Sequence, residues 1–137
     1  MPFVIDASIA GAWILPDEAD TLADDCQRAL LVDQAIVPAI WWFETRNLLI
    51  MSERRGRLDR TATAKALDIL AVYPIVRDEQ PDGPALLDLA RFHGLTAYDA
   101  AYLELAVRTK SPIATLDKRL AVAAQKENVP AFARADR

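Results

Sequence analysis

Short apolar runs rich in β-branched residues alternate along this chain with longer stretches in which apolar residues recur at helical spacing. Five runs have the character of strands: residues 3–5, 35–37, 75–76, 112–116 and, after the last helical stretch, 129–132. Their nearly continuous apolar character is typical of strands that are buried on both faces, as in a parallel sheet. The alternation therefore predicts an α/β fold with a parallel β-sheet of about four to five strands, flanked by helices on both faces.

The helical stretches are bounded by residues that start or stop helices. Asp59, Thr96 and Asp117 are suitable N-caps because their side-chain oxygens can accept from free backbone N–H groups. Gly56 and Gly94 suit helix ends, where the chain often takes up a left-handed conformation. Helices are predicted at residues 7–15, 18–32, 40–55, 60–73, 85–93, 97–109 and 118–127.

Size and composition limit the classes of protein to which this chain can belong. A chain of 137 residues supports one hydrophobic core, so residues 1–137 are predicted to form a single domain. The only cysteine, Cys26, cannot form an internal disulfide, no stretch approaches the roughly 20 apolar residues of a membrane span, and the N-terminus lacks a basic flank. These features predict a cytoplasmic protein. The net charge of −4 disfavours broad, non-specific adhesion to nucleic acid, but it does not exclude a nuclease, because an active site made of carboxylates would itself contribute negative charge.

Two acidic residues occupy positions that their helices would normally give to apolar side chains. Most of the 20 acids have ordinary explanations; Glu104, for example, is expected to form an exposed ion pair with Arg108, four residues on. Glu44 and Asp99 instead lie on apolar stripes and have no Lys or Arg at helical spacing. A carboxylate in such a position must find a partner, be protonated or bind a cation.

Two further acids follow predicted strands directly. Asp6 ends the first strand and Asp117 the fourth, so both are expected at the same edge of a parallel sheet. If Glu44 and Asp99 lean towards that edge, four carboxylates meet, and they cannot all ionise without a counter-charge. Because hard oxygen ligands favour Mg²⁺ or Mn²⁺, the four acids are predicted to form a metal site.

Plainer interpretations of the same residues remain open at this point. Asp6 and Asp117 are also typical helix N-caps, while Glu44 and Asp99 could pair with distant arginines. Other kinds of site are less compatible with the composition. A single Cys, a single His and scattered glycines leave no basis for a zinc site, a phosphate-binding glycine loop or a Ser-His-Asp triad.

The four acids also stand in motifs that resemble those of a known family. The motifs are VIDAS at residues 4–8, VPAIWWFETRNL at 37–48, GLTAYDAAYLELA at 94–106 and IATLDKRL at 113–120. In this order and at these intervals, the chain resembles the PIN-domain ribonucleases and, within them, the VapC-type toxins of type II toxin–antitoxin pairs. The resemblance covers almost the whole chain, and none of the four acids is missing.

The resemblance implies a Rossmann-like parallel sheet and hydrolysis of RNA with Mg²⁺ or Mn²⁺ at Asp6, Glu44, Asp99 and Asp117. It also implies a homodimer and a cognate antitoxin that blocks the site.

Several neighbouring residues are expected to support such a site. Ser8 and Thr115 bring hydroxyls next to the acids, and Asn47, one turn after Glu44, is placed to fix that carboxylate or to touch substrate. Contacts to RNA phosphates are expected from three cations: Arg46, Lys118 and Arg119.

Two other functions remain alternatives. One is another metal-dependent phosphohydrolase, although phosphatases of the haloacid-dehalogenase type need a second Asp where this chain has Ser8. The other is a non-catalytic module whose acidic pocket docks a partner. Metal binding and cleavage of RNA separate these alternatives from a ribonuclease.

Overall fold

The computed structural model describes residues 1–133, except for the side chain of Pro16. Strands and helices alternate in the order β1 (Phe3–Ile5), α1 (Ala7–Ile14), a 3-10 helix (Pro16–Glu18), α2 (Thr21–Ala29), β2 (Ala35–Pro38), α3 (Ile40–Arg54), α4 (Arg60–Val72), β3 (Ile75–Asp78), α5 (Gly83–His93), α6 (Ala97–Thr109), β4 (Ile113–Ala114) and α7 (Lys118–Lys126). The predicted single domain of 1–137 extends four residues beyond the described part.

The four strands form one parallel sheet in the order β3-β2-β1-β4. All three residues of β1 are buried, as expected for a central strand that is covered on both faces. The predicted α/β fold with a parallel sheet is therefore confirmed. The fifth predicted strand is reduced to a single bridge between Ile113 and Ala131, because β4 itself is only two residues long.

Helix α6 organises one side of the molecule. It packs against β1 and β2, and α5 and α7 pack against it in turn. On another side, α1 packs against α2 and α3. The largest side chains that these contacts bury completely include Tyr102, Phe3, Ile5, Ile9 and Leu49. Cys26 is a free, buried thiol. Among residues 1–133, no helix is long and apolar enough to cross a membrane.

Helix α2 begins later than the sequence predicted. The chain turns through a 3-10 helix at Pro16–Glu18, and Asp20 then caps α2 by accepting from the Leu22 N–H at 2.7 Å. The prediction of a helix from residue 18 was wrong because apolar periodicity does not distinguish a short 3-10 turn from the first turn of an α-helix.

The expected ion pair of Glu104 and Arg108 forms, but it is not an exposed one. Glu104 is only 3% exposed, and Arg108 Nε donates to its Oε2 at 2.6 Å. Arg108 also reaches Asp78 at the end of β3, with Nη2 donating to Oδ2 at 2.6 Å. Helical spacing identified the partner of Glu104, whereas its burial follows from the packing of α6 against the sheet.

Candidate active site

The candidate site lies where the order of the strands reverses. The chain runs from β1 outwards through β2 to β3 and then returns to place β4 on the other side of β1. In open parallel sheets this reversal leaves a crevice at the carboxyl ends of the two strands on either side of it, here β1 and β4. Asp6 follows β1 directly, and Thr115, Leu116 and Asp117 follow β4 at the same edge of the sheet.

Asp6 is buried and is fixed by hydrogen bonds to both of its carboxylate oxygens. Its Oδ1 accepts from the Ser8 N–H at 3.1 Å, the Ser8 hydroxyl at 2.5 Å and the Ile9 N–H at 3.4 Å. Its Oδ2 accepts from the Thr115 hydroxyl at 2.5 Å. Asp6 therefore is the N-cap of α1, as the plainer interpretation held, and it also joins the ends of β1 and β4.

The two hydroxyls that contact Asp6 tie together the loops that follow β1 and β4. Ser8 Oγ accepts from the Leu116 N–H at 2.9 Å, and Thr115 Oγ1 accepts from the Asp117 N–H at 3.0 Å. Each hydroxyl donates to Asp6 and accepts from the backbone of the β4 loop. The expectation that Ser8 and Thr115 lie next to the acids agrees with this arrangement.

Glu44 projects from α3 and is half-buried. Tyr102, on α6, donates its hydroxyl hydrogen to Glu44 Oε1 across 58 residues of sequence. In residues 1–133 this is the only hydrogen bond to the Glu44 side chain, so the expected contact from Asn47 is not formed. Neither Glu44 nor Asp99 takes part in an ion pair within the described part of the chain, so the alternative of a distant arginine partner is not observed.

Asp99 and Asp117 occupy the first turn of α6 and the cap of α7. The Asp99 N–H donates to the Thr96 hydroxyl at 3.1 Å. Asp117 accepts from the Leu120 N–H at 3.0 Å and is the N-cap of α7, as its sequence context predicted.

Burial and the charges of neighbouring acids raise the pKa values of three carboxyl groups in the site. Burial raises the pKa of Asp6, although four hydrogen bonds oppose that rise. Burial also raises the pKa of Glu44, and the charges of Asp99 and Asp6 raise it further. The pKa of Asp99 is raised by burial and then by the charge of Asp117. The site thus concentrates negative charge that Arg119 offsets in part and that no ion pair within residues 1–133 neutralises.

The donor set suits a hard divalent cation. Carboxylate and hydroxyl oxygens are the ligands that Mg²⁺ and Mn²⁺ prefer. The positive charge of either ion would offset the repulsion among the acids. No group of three or more Asp, Glu, His or Cys side chains in residues 1–133 is already arranged to hold a metal. Mg²⁺ commonly binds through one or two carboxylates completed by water and substrate phosphates, so such a group is not required.

A groove of about 640 Å³ opens beside Glu44. It is lined by Glu44, Asn47 and Tyr98, by the basic residues Arg55 and Arg57, and by apolar residues including Leu48 and Met51. Its mixture of apolar walls and guanidinium groups differs from the edge of the sheet, where Asp6 and two hydroxyls meet. Asn47 lines this groove together with Glu44, and no hydrogen bond joins the two side chains.

A comparison with known proteins identifies the family that shares this arrangement. The PIN domain family matches residues 3–126, a span that contains all four acids. The chain belongs to the PIN-domain family.

This PIN domain has relatives of known kind. It is 30% identical over 129 residues to ribonuclease VapC3 of Pyrobaculum aerophilum, a match that covers 88% of this chain and 93% of that protein. The crystal structure of PAE2754 from Pyrobaculum aerophilum matches with a TM-score of 0.69 at 23% identity, covering 90% of this chain and 79% of that one. A toxin–antitoxin complex from Klebsiella pneumoniae matches with a TM-score of 0.59 at 18% identity, covering 87% and 90%. The resemblance to VapC-type PIN domains is confirmed, and the structural matches confirm the fold.

The three cations expected to contact RNA lie in different surroundings in this PIN domain. Arg119 donates to the Gly94 carbonyl at 2.8 Å, and its charge lowers the pKa of Asp99, so it lies beside the acids. Lys118 is exposed at the start of α7. Arg46 stacks over the Trp42 ring at 4.3 Å and lines a separate pocket with Tyr73 and Arg77, not the groove beside Glu44. Lys118 and Arg119 therefore lie at the start of α7, directly after Asp117, whereas Arg46 lies at a separate pocket.

Tyr102 is the site residue that the sequence analysis did not single out. It was treated only as an apolar neighbour of Asp99 on the α6 stripe, yet its hydroxyl contacts Glu44. A signal was present in the sequence, because a buried phenol needs a hydrogen-bond partner for its hydroxyl group. The identity of that partner depends on how α6 packs against α3.

Proposed function

We propose that this PIN domain is a Mg²⁺- or Mn²⁺-dependent endoribonuclease and the toxin of a toxin–antitoxin pair. The observation that carries the proposal is the set of carboxylates at the strand reversal, where three have raised pKa values and none forms an ion pair within residues 1–133. The similarity to ribonuclease VapC3 supports RNA as the substrate.

Each of the four acids has a proposed role in holding the cation. Asp6, Glu44 and Asp99 are proposed to hold it, directly or through water, and Asp117 to complete the site or to hold a second ion. When bound, a divalent cation makes a water molecule more acidic and offsets negative charge on the scissile phosphate.

The chain's own residues then orient the participants. The hydroxyls of Ser8 and Thr115 keep both Asp6 oxygens at the end of β1, so the first acid does not have to be ordered when substrate arrives. Arg119, anchored on the Gly94 carbonyl beside Asp99, and the exposed Lys118 are proposed to contact RNA phosphates. Asn47 is proposed to contact substrate from the groove.

The partners are proposed from the family and from one structural match. That match is itself a toxin–antitoxin complex, which supports a cognate antitoxin that inhibits this chain by covering the acidic site. A homodimer is proposed as well, and the exposed Trp42 and Phe43 at the start of α3 are candidates for its interface.

Cleavage of RNA with and without metal tests the proposed activity. Cleavage is expected in MgCl₂ or MnCl₂ and not in EDTA. Asp6→Asn and Asp99→Asn are each expected to reduce the cleavage rate by roughly 100-fold or more, because each removes a charge that holds the cation. Asp68→Asn, which removes a carboxylate from an exposed position on α4, is the matched control and is expected to cleave as the wild type does.

The result is interpreted only for variants whose circular dichroism shows an intact fold. Cleavage that persists in EDTA, or in both site variants, would contradict the proposed metal-dependent site. Calorimetry that detects no Mg²⁺ or Mn²⁺ binding would favour the non-catalytic acidic module instead.

A further inference from the structure

Glu44 lies on α3, whereas the other residues proposed to hold the metal lie on other elements. A contact between elements is therefore needed to orient the Glu44 carboxylate towards them. The Glu44 side chain is half-buried and has several rotatable bonds. Unlike Asp6, which directly follows β1, Glu44 is not fixed by a position at the end of a strand. Within residues 1–133, Tyr102 is the only residue that donates a hydrogen bond to it. The orientation of the second acid therefore depends on a contact from α6 to α3.

Tyr102 is well suited to fix a neighbouring carboxylate. It is only 1% exposed, its ring is held by the core, and its hydroxyl has no access to bulk water. It follows Asp99 by three residues on α6, so one face of this helix supplies both an acid and the group that holds another acid.

The electrostatic surroundings place the Tyr102 hydroxyl among the acids. Burial and the charges of Glu44, Asp6 and Asp99 hold the pKa of the phenol well above its usual range. The Tyr102 hydroxyl donates its hydrogen to Glu44. It adds no positive charge, so it directs Glu44 without replacing a cation.

We propose that Tyr102 is a positioning residue that aims the Glu44 carboxylate at the point it shares with Asp6 and Asp99. The proposal rests on the proposed metal-dependent function. It assigns to Tyr102 the part that the sequence suggested for Asn47, because Tyr102 and not Asn47 forms the hydrogen bond to Glu44 within residues 1–133.

Mn²⁺ binding to the full chain, measured by calorimetry, tests this role without relying on activity. Tyr102→Phe keeps the buried ring and removes only the hydroxyl, and it is expected to weaken Mn²⁺ binding by about 10-fold or more, as loss of a ligand-orienting contact typically does. The matched control is Tyr73→Phe, which removes another hydrogen-bonded phenol, the partner of Gln27, and is expected to stay within about twofold of the wild type.

Kinetics separate a positioning role from a general loss of structure. RNA cleavage by Tyr102→Phe is expected to recover when MnCl₂ is raised in proportion to its weaker binding, with the KM for RNA unchanged. Wild-type affinity for Mn²⁺ in Tyr102→Phe, or equal weakening in Tyr73→Phe, would overturn the positioning role alone. Absence of Mn²⁺ binding by the wild type would overturn the proposed metal-dependent function together with this role.

Discussion

At the scale of single residues, the surroundings of three acids in this PIN domain disfavour their ionised forms. Burial is the first cause of the raised pKa of Asp6, Glu44 and Asp99, and like charges add to it for the last two. A folded protein that holds ionised groups in this way loses stability unless a cation compensates. Ionisation of these carboxylates therefore lowers the stability of the folded state, and the proposed cation would compensate for that loss.

The sign of this effect predicts how Glu44→Gln changes stability with pH. Below the ordinary pKa of 4.5, Glu44 is protonated in the folded and unfolded chains, and its raised pKa costs nothing. As pH rises through the folded-state pKa, only the wild type must place a new charge beside Asp99 and Asp6. In EDTA we expect Glu44→Gln to melt at a higher temperature than the wild type at pH 8.

That advantage should shrink as the pH falls from the raised pKa of folded Glu44 towards 4.5, and it should vanish below 4.5. Thermal melts across this pH range measure it, with the exposed Asp68→Asn exchange as the control for removal of one carboxylate. A pH-independent difference between Glu44→Gln and the wild type would contradict the charge repulsion inferred for the site.

At the scale of secondary-structure elements, Arg108 fastens the edge strand β3 to the central helix α6. It bridges the buried Glu104 on its own helix and Asp78 at the end of β3. Most residues between Ala100 and Ala106 on α6 are buried in the core, and the ion-pair network of Arg108 further fixes this helix, whose first turn carries Asp99. Loss of the guanidinium leaves a carboxylate that is only 3% exposed without its counter-charge.

We therefore predict a large cost for Arg108→Met, which keeps the apolar stem and removes the charge. Breaking a buried ion pair by removing one partner typically costs roughly 3–5 kcal/mol, and we expect about 3 kcal/mol here because Arg108 is partly exposed. Urea unfolding measures the change. Arg91→Met, which breaks an exposed pair with Asp88, is expected to cost less than about 1 kcal/mol. Equal costs for the two variants would show that the buried network adds no stability.

At the scale of the whole molecule, the proposed cation connects segments that are distant in sequence. Its proposed ligands follow β1 and β4 or belong to α3 and α6, so binding would join both sides of the strand reversal. A ligand that binds only the folded chain stabilises the entire domain and not the site alone.

Thermal stability in the presence of MnCl₂ tests this coupling. At a free Mn²⁺ concentration 100 times the Kd, the folded state should gain about 2.7 kcal/mol, seen as a higher melting temperature that returns to its starting value in EDTA. Asp6→Asn is expected to lose most of this gain. An equal rise in the wild type and in Asp6→Asn would place the bound Mn²⁺ at some other site.

The sequence by itself determined the order of the main strands and helices, and it singled out the acids that are proposed to hold a metal. Strand runs, helix caps and the positions of Asp6 and Asp117 follow from local properties, since apolar periodicity and cap chemistry act over a few residues. The unusual positions of Glu44 and Asp99 were also visible in the local sequence, because each acid interrupts the apolar stripe of its own helix.

Only the tertiary structure decided the contacts that shape the site. The hydrogen bond of Tyr102 to Glu44 joins residues 58 apart, and that of Thr115 to Asp6 joins residues 109 apart. The burial of Glu104 and the reduction of the fifth strand to one bridge have the same origin. Such contacts depend on how helices and strands pack in three dimensions, and no local pattern in the sequence encodes the partner that packing brings to a given side chain.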